Sequence, residues 1–149
     1  MTLMPKRVVL ISGGRHLARP EVYEAMSLLW RRLDGWNLTA TGWARGADLH
    51  VREWARAQMV DVHVLTPPKI WWSAFRSRPT NPNVHTWKSV YTTTYLKGLA
   101  ARPDLFEPIL ATLPGGAETD HLLSYVVKAR LIIPAYLITL DPVTITLKS

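Results

Sequence analysis

The chain has 149 residues, 48% of them hydrophobic and 19% charged, with 18 Lys plus Arg against 11 Asp plus Glu and no Cys. That length suits one hydrophobic core, and the apolar content excludes a disordered tail. The missing Cys excludes a disulfide framework, a thiolate metal centre and a Cys nucleophile, and no apolar run approaches the ~20 residues that cross a bilayer.

Met1 to Arg7 leads straight into a strand-like run without a signal-peptide pattern, so a cytoplasmic protein with no membrane contact is expected. Arg7-Val-Val-Leu-Ile-Ser12 reads as a buried strand ending at a Gly pair. Pro20 to Leu33 is helical, with Val22, Met26, Leu29 and Leu33 on one face, Tyr23 and Trp30 on its shoulder, and Gly35 as the stop. Asn37 to Thr41 is a second strand, followed by a helix over 47–59 that places Ala47, Val51, Trp54, Ala55 and Gln58 or Met59 near one face. Asp61 to Thr66 is a third strand, and Pro67-Pro68 breaks it. A basic, Pro-containing connection to about Pro82 precedes a helix over 83–99, whose apolar positions are Val84, Trp87, Tyr91 and Thr94 or Tyr95. Strand 108–113, helix 119–130 with Leu122, Leu123, Val126 and Val127 inward, strand 131–140 and a short edge strand 144–147 complete the chain.

Strands alternating with helices predict an α/β fold: a Rossmann-like three-layer sandwich around a mainly parallel sheet, forming one domain with a basic, aromatic insertion at about 67–103. Between Val62 and Pro103 there is no acidic residue, while Lys69, Arg76, Arg78, Lys88, Lys97 and Arg102 supply six positive charges. Of the overall charge of +7, only +1 remains elsewhere. Six aromatics share that window: Trp71, Trp72, Phe75, Trp87, Tyr91 and Tyr95. Basic groups attract anions and aromatic faces stack on bases, so the mixture suits a nucleotide or a single strand; a solvated surface beside core aromatics is the plainer alternative.

In such sheets ligands bind beyond the carboxyl ends of the strands. Three Gly-containing turns fall there: Ser12-Gly13-Gly14-Arg15, Gly42-Trp43-Ala44-Arg45-Gly46 and Pro114-Gly115-Gly116-Ala117. Glycines allow close backbone approach, and free amides at a helix start favour a phosphate. None of the turns is a GxGxxG fingerprint or a Walker A loop, which disfavours dehydrogenases and P-loop NTPases. The five histidines show no HxH or HExxH spacing, so no metal site is expected, and no Ser occupies a G-x-S-x-G elbow.

The trio of turns resembles the SLOG superfamily, which unites the Lonely-Guy phosphoribohydrolases, the DNA-processing protein DprA and the YspA-type nucleotide-binding domains. The likeness spans about Arg7 to Ile138 and is greatest to the YspA-type branch. That branch has a G-S-R-like first turn, here Ser12-Gly13-Gly14-Arg15, then G-x-A-x-G-A-D and W-A, here Gly42 to Asp48 and Trp54-Ala55. Trp71 or Trp72 corresponds to the family's tryptophan after the third strand, and Leu113 to Thr119 to its F-P-G-G-x-G-T turn. The chain departs from the pattern where Lonely-Guy enzymes place the glutamate implicated in cleaving the N-glycosidic bond, because Leu122 stands there, and Glu118 replaces a glycine. An Arg-Asn pair of the family is replaced by Pro82-Asn83, with Arg76 and Arg78 upstream as substitutes.

The resemblance therefore implies binding more than turnover, at Gly13, Gly14, Arg15, Gly42, Arg45, Gly46, Asp48, Trp72, Arg76, Arg78, Gly115, Gly116 and Thr119. Arg15 either clamps a phosphate or is an exposed loop residue. Asp48 either bonds a ribose hydroxyl or caps its helix. Thr119 either donates to a phosphate or acts as an N-cap. Trp72 either stacks on a base or packs at the sheet edge. Glu118 and Asp120 are the catalytic candidates, with a solvated helix start as the alternative for Asp120 and His121.

The expected ligand is a phosphate-containing nucleotide or ADP-ribose-like small molecule that the protein senses or sequesters, with no other cofactor. The alternatives are a nucleotide phosphoribohydrolase and DprA-like single-stranded nucleic-acid binding. Arg52 stands where the DprA-like pattern has a His. Related domains generally self-associate, so a homodimer is expected.

Overall fold

The computed structural model describes residues 4–66, 84–115, 117–128 and 133–148. Within them, strands β1 (Lys6–Ser12), β2 (Leu38–Thr41), β3 (Asp61–Val64), β4 (Phe106–Thr112), β5 (Ala135–Thr139) and β6 (Thr144–Leu147) form one sheet in the order β3-β2-β1-β4-β5-β6. Strands β1 to β5 are parallel, and β6 returns antiparallel against β5. Helices α1 (Arg19–Leu33), α2 (Ala47–Ala57), α3 (Val84–Ala100) and α4 (Ala117–Lys128) alternate with them. The architecture is α/β, with helices on both faces of a mostly parallel sheet, as the alternating pattern predicts.

Central strand β1 is apolar on both sides because both sides are covered. Val9 and Ile11 join α1 and α2 in one core layer, with Val22, Met26, Leu29, Val51 and Trp54. Val8 and Leu10 face the other layer, with Leu96 and Leu99 of α3 and Leu122 and Val126 of α4. In the first layer three indoles pack together, Trp30 lying 4.8 Å from Trp36 and 5.9 Å from Trp54 between centroids. Two of their polar edges are satisfied within the fold: Trp36 Nε1 donates to Thr39 Oγ1 at 2.8 Å and Trp54 Nε1 to Ser27 Oγ at 3.3 Å.

Several boundaries differ from the sequence pattern for identifiable reasons. Helix α1 ends on Asp34 and Gly35, both left-handed, so the stop involves two residues. Helix α2 ends at Ala57, and Met59, at φ 61°, is 92% exposed rather than inward. Among the described side chains of α3, Thr93, Leu96 and Leu99 are buried, Tyr91 and Tyr95 are half-buried and Thr94 is exposed; those of Val84 and Trp87 lie outside the described set. On α4 Val127 is exposed and Leu123 only partly covered.

Strand β4 begins two residues early and includes Pro108, paired in register with Val8. Proline is tolerated there because β5 pairs only with Leu110 to Thr112. Leu110, two residues on and facing the same side, is the first to donate across, to the Pro134 carbonyl at 2.9 Å. Strand β5 starts at Ala135, directly after that second proline.

Candidate ligand-binding site at the carboxyl end of the sheet

The strand order sends the chain from β1 outward to β2 and β3, then back across to β4 on the other side of β1. The crevice beyond β1 and β4 is thus the point where strand order reverses, where ligands of open α/β sheets bind. The first Gly turn is the hub there. The Leu113 N–H donates to the Ser12 carbonyl at 2.7 Å and the Gly14 N–H to the Pro114 carbonyl at 2.8 Å, tying the first turn to the third. The Ala47 N–H donates to the Gly14 carbonyl at 3.0 Å, tying it to the second.

Two glycines show why the turns need them. Gly46 has φ +72°, and a Cβ on it would overlap the Arg15 carbonyl. A Cβ on Gly13 would lie 2.7 Å from the Ala47 Cβ and 2.8 Å from the Leu113 Cβ. Gly14 and Gly115 face one another across the same joint. The close backbone approach expected for a phosphate is taken up, at these positions, by the neighbouring turn.

The polar side chains divide between two spaces. An inner cleft of about 30 Å³ is bordered by Ser12, Gly42, Trp43, Asp48, Leu65 and Tyr91. It has room for a water or a hydroxyl group, not a ring. Asp48 lies against Gly42 and accepts a bond from Thr41 Oγ1 at 3.3 Å. It is not the cap of α2, since that position is Gly46 and has no side-chain cap bond. Thr119 is inside α4, not at its cap; it is 5% exposed and shares a 3.1 Å hydrogen bond with the Ser12 hydroxyl. Thr112, paired with Ser12 across β1 and β4, keeps a buried hydroxyl with no partner among the described residues.

The outer space is an open groove of about 530 Å³ bordered by Arg15, His16, Trp43, Ala44 and Arg45. This volume is within the range of small-molecule sites. Among the described residues neither Arg15 nor Arg45 forms an ion pair or a side-chain hydrogen bond. The loop bearing Trp43 is fixed by Arg52 of α2, which donates to the Gly42 carbonyl at 2.6 Å and the Ala44 carbonyl at 3.3 Å. Trp43 itself is 38% exposed and borders both spaces.

The structure therefore brings Gly13, Gly14, Arg15, Gly42, Arg45, Gly46, Asp48, Gly115 and Thr119 to one end of the sheet. Gly116, Trp72, Arg76, Arg78 and the side chain of Glu118 lie outside the described residues, and Asp120 is exposed in the first turn of α4. Leu122 is 2% exposed in the core beneath α4. Sequence reasoning missed Trp43, His16 and Arg52. For Trp43 the signal was present, a bulky aromatic between a glycine and an alanine in a turn otherwise made of small residues and one arginine.

Away from this end, His63 of β3 and Tyr95 of α3 share a hydrogen bond at 3.1 Å. Burial, and secondarily the neighbouring Tyr91, push the Tyr95 phenol above its ordinary pKa. Among the described residues no group of three or more His, Asp or Glu could hold a metal ion, and no helix is long and apolar enough to cross a membrane. Compared with models of known families, with curated proteins and with solved structures, the chain matches none.

Proposed function

We propose that this protein binds a phosphate-bearing, nucleotide-type small molecule at the carboxyl end of β1, and that it senses or sequesters that ligand rather than converting it. The observation that carries this reading is the open groove beside the β1/β4 reversal, rimmed by Arg15 and Arg45, whose guanidinium groups are unpaired among the described residues. Two cations beside an aromatic side chain suit a phosphorylated heterocycle better than a neutral metabolite. The resemblance of these turns to the SLOG superfamily points the same way.

Binding is favoured over N-glycosidic cleavage by the position of Leu122. That residue is apolar and packed in the core, so the place the resemblance assigns to a catalytic glutamate neither holds a carboxylate nor opens onto the crevice. The Ser12 hydroxyl, in turn, meets Thr119 and so does not form the nucleophile–base pair that covalent catalysis needs.

Isothermal calorimetry with nucleoside mono-, di- and triphosphates, cyclic nucleotides and ADP-ribose tests the proposal. At least one of them should bind, more weakly at higher salt, with no free base released on incubation. A panel without any binding refutes the proposal, and release of base would replace it with hydrolysis.

A further inference from the structure

The two spaces at this end of the sheet differ so much in size that they constrain how a nucleotide lies. This inference rests on the function proposed above and adds an orientation to it. A purine or pyrimidine ring does not fit the inner cleft of about 30 Å³, whereas the outer groove of about 530 Å³ accommodates a whole mononucleotide. Among the described residues, Trp43 is the one with an aromatic ring wider than imidazole that borders the outer groove, and it is 38% exposed.

We infer that Trp43 is the base-stacking platform of the site. The nucleobase lies on its indole in the outer groove, the phosphates lie between Arg15 and Arg45, and only a ribose hydroxyl reaches inward towards Asp48. Three further contacts support this arrangement. Arg52 holds the backbone carbonyls on either side of Trp43, so the platform is fixed before the ligand arrives. The close contact of Gly46 with the Arg15 carbonyl sets the two arginine-bearing turns side by side. The Asp48 carboxylate borders the inner cleft, where it would accept a hydroxyl but repel a phosphate. The polarity of the site is therefore carboxylate inside and guanidinium outside, and it fixes which end of the ligand faces solvent.

The test compares adenosine 5′-diphosphate with inorganic pyrophosphate, by calorimetry on the whole chain. Trp43→Leu keeps apolar bulk but removes the stacking face. It should weaken diphosphate nucleotide binding by about tenfold or more and leave pyrophosphate binding unchanged. Trp43→Phe should recover most of the loss, which a merely structural role for the indole would not predict. The double change Arg15→Ala with Arg45→Ala should weaken both probes together. Circular dichroism spectra identical to the wild type accompany each variant; if Trp43→Leu does not fold, the same comparison is made between the wild type and Trp43→Phe, where a smaller loss, still confined to the nucleotide, is expected.

Nucleotide binding that is indifferent to Trp43 overturns the orientation and leaves the proposed function standing. A wild-type protein that binds pyrophosphate but no nucleotide overturns both. Tighter, Trp43-dependent binding of an oligothymidylate than of any mononucleotide would also overturn it, making the groove a nucleic-acid track.

Discussion

Two open grooves of similar size lie at opposite ends of the sheet, about 530 Å³ at the carboxyl end and about 640 Å³ at the amino end, and both contain arginine and tryptophan. At the amino end Arg7 is fully engaged: it donates to the Leu33 carbonyl, to the Gly35 carbonyl at 3.0 Å and to Glu107 at 3.2 Å. Its guanidinium closes the end of α1 onto β1 and β4 and is neutralised there. At the carboxyl end the arginines are held by their backbone, through the joint between the turns, and among the described residues their guanidinium groups remain unpaired. Volume alone would favour the lower groove. The difference lies in whether the cation already has partners, because only an unpartnered cation gains by meeting an anion.

The change expected to have the largest effect breaks the upper groove at its joint. Gly46→Val puts a β-branched residue at φ +72° and drives its Cβ into the Arg15 carbonyl. Urea unfolding should report a loss of at least about 3 kcal/mol. A fully stable variant would show that the two turns do not abut as described.

A smaller effect is expected below. Arg7→Met should cost about 1–3 kcal/mol through the carbonyls of Leu33 and Gly35 that it leaves without a donor. Nucleotide affinity should stay within about twofold, the two grooves being distant and independent. A large loss of affinity in this variant would erase the distinction between a structural and a receptive arginine.

The smallest effect belongs to neither groove. Tyr95 has a raised pKa in the folded state, so its contribution to stability is fully present below the ordinary tyrosine value and is lost as pH rises through the folded one. Thermal unfolding of the wild type should therefore fall more steeply in the alkaline range than that of Tyr95→Phe, with the two pH profiles parallel near neutrality. Ligand affinity at neutral pH should be the same in both, and identical alkaline profiles would remove Tyr95 as the cause.

Much of the fold was legible because burial leaves a periodic trace. The β1 run Val8 to Ile11 and the α1 positions Val22, Met26 and Leu29 are buried as their spacing requires. On α3 the pattern was read through its aromatic residues, of which Tyr91 and Tyr95 pack half-buried against the core, but it passed over Leu96 and Leu99, which are buried in it. The start of β4 two residues ahead of Pro108 was illegible for another reason: whether a proline is tolerated in a strand interior depends on how far β5 extends, which is a property of the partner strand.

The site divided similarly. Turn chemistry pointed to Arg15, Arg45 and the glycines, and those described lie together at one end of the sheet. The double boundary role of Trp43 and the grip of Arg52 on two carbonyls exist only once α2 is folded back over its own entry loop. Asp48 offered two roles to sequence reading, and its place against Gly42, with Gly46 at the cap, removes the capping role.

The bolting of the three turns to one another has a consequence for how such a protein can diverge. The residues that the joint cannot spare are glycines whose missing side chains are occupied by main chain or by small neighbours. Those that meet the solvent at the rim, Arg15, His16, Trp43 and Arg45, have side chains pointing away from it. Foldability and selectivity therefore reside on different atoms, in places on adjacent residues. A lineage could exchange the indole or the guanidinium groups, and with them the molecule it recognises, without reopening the question of how the chain folds.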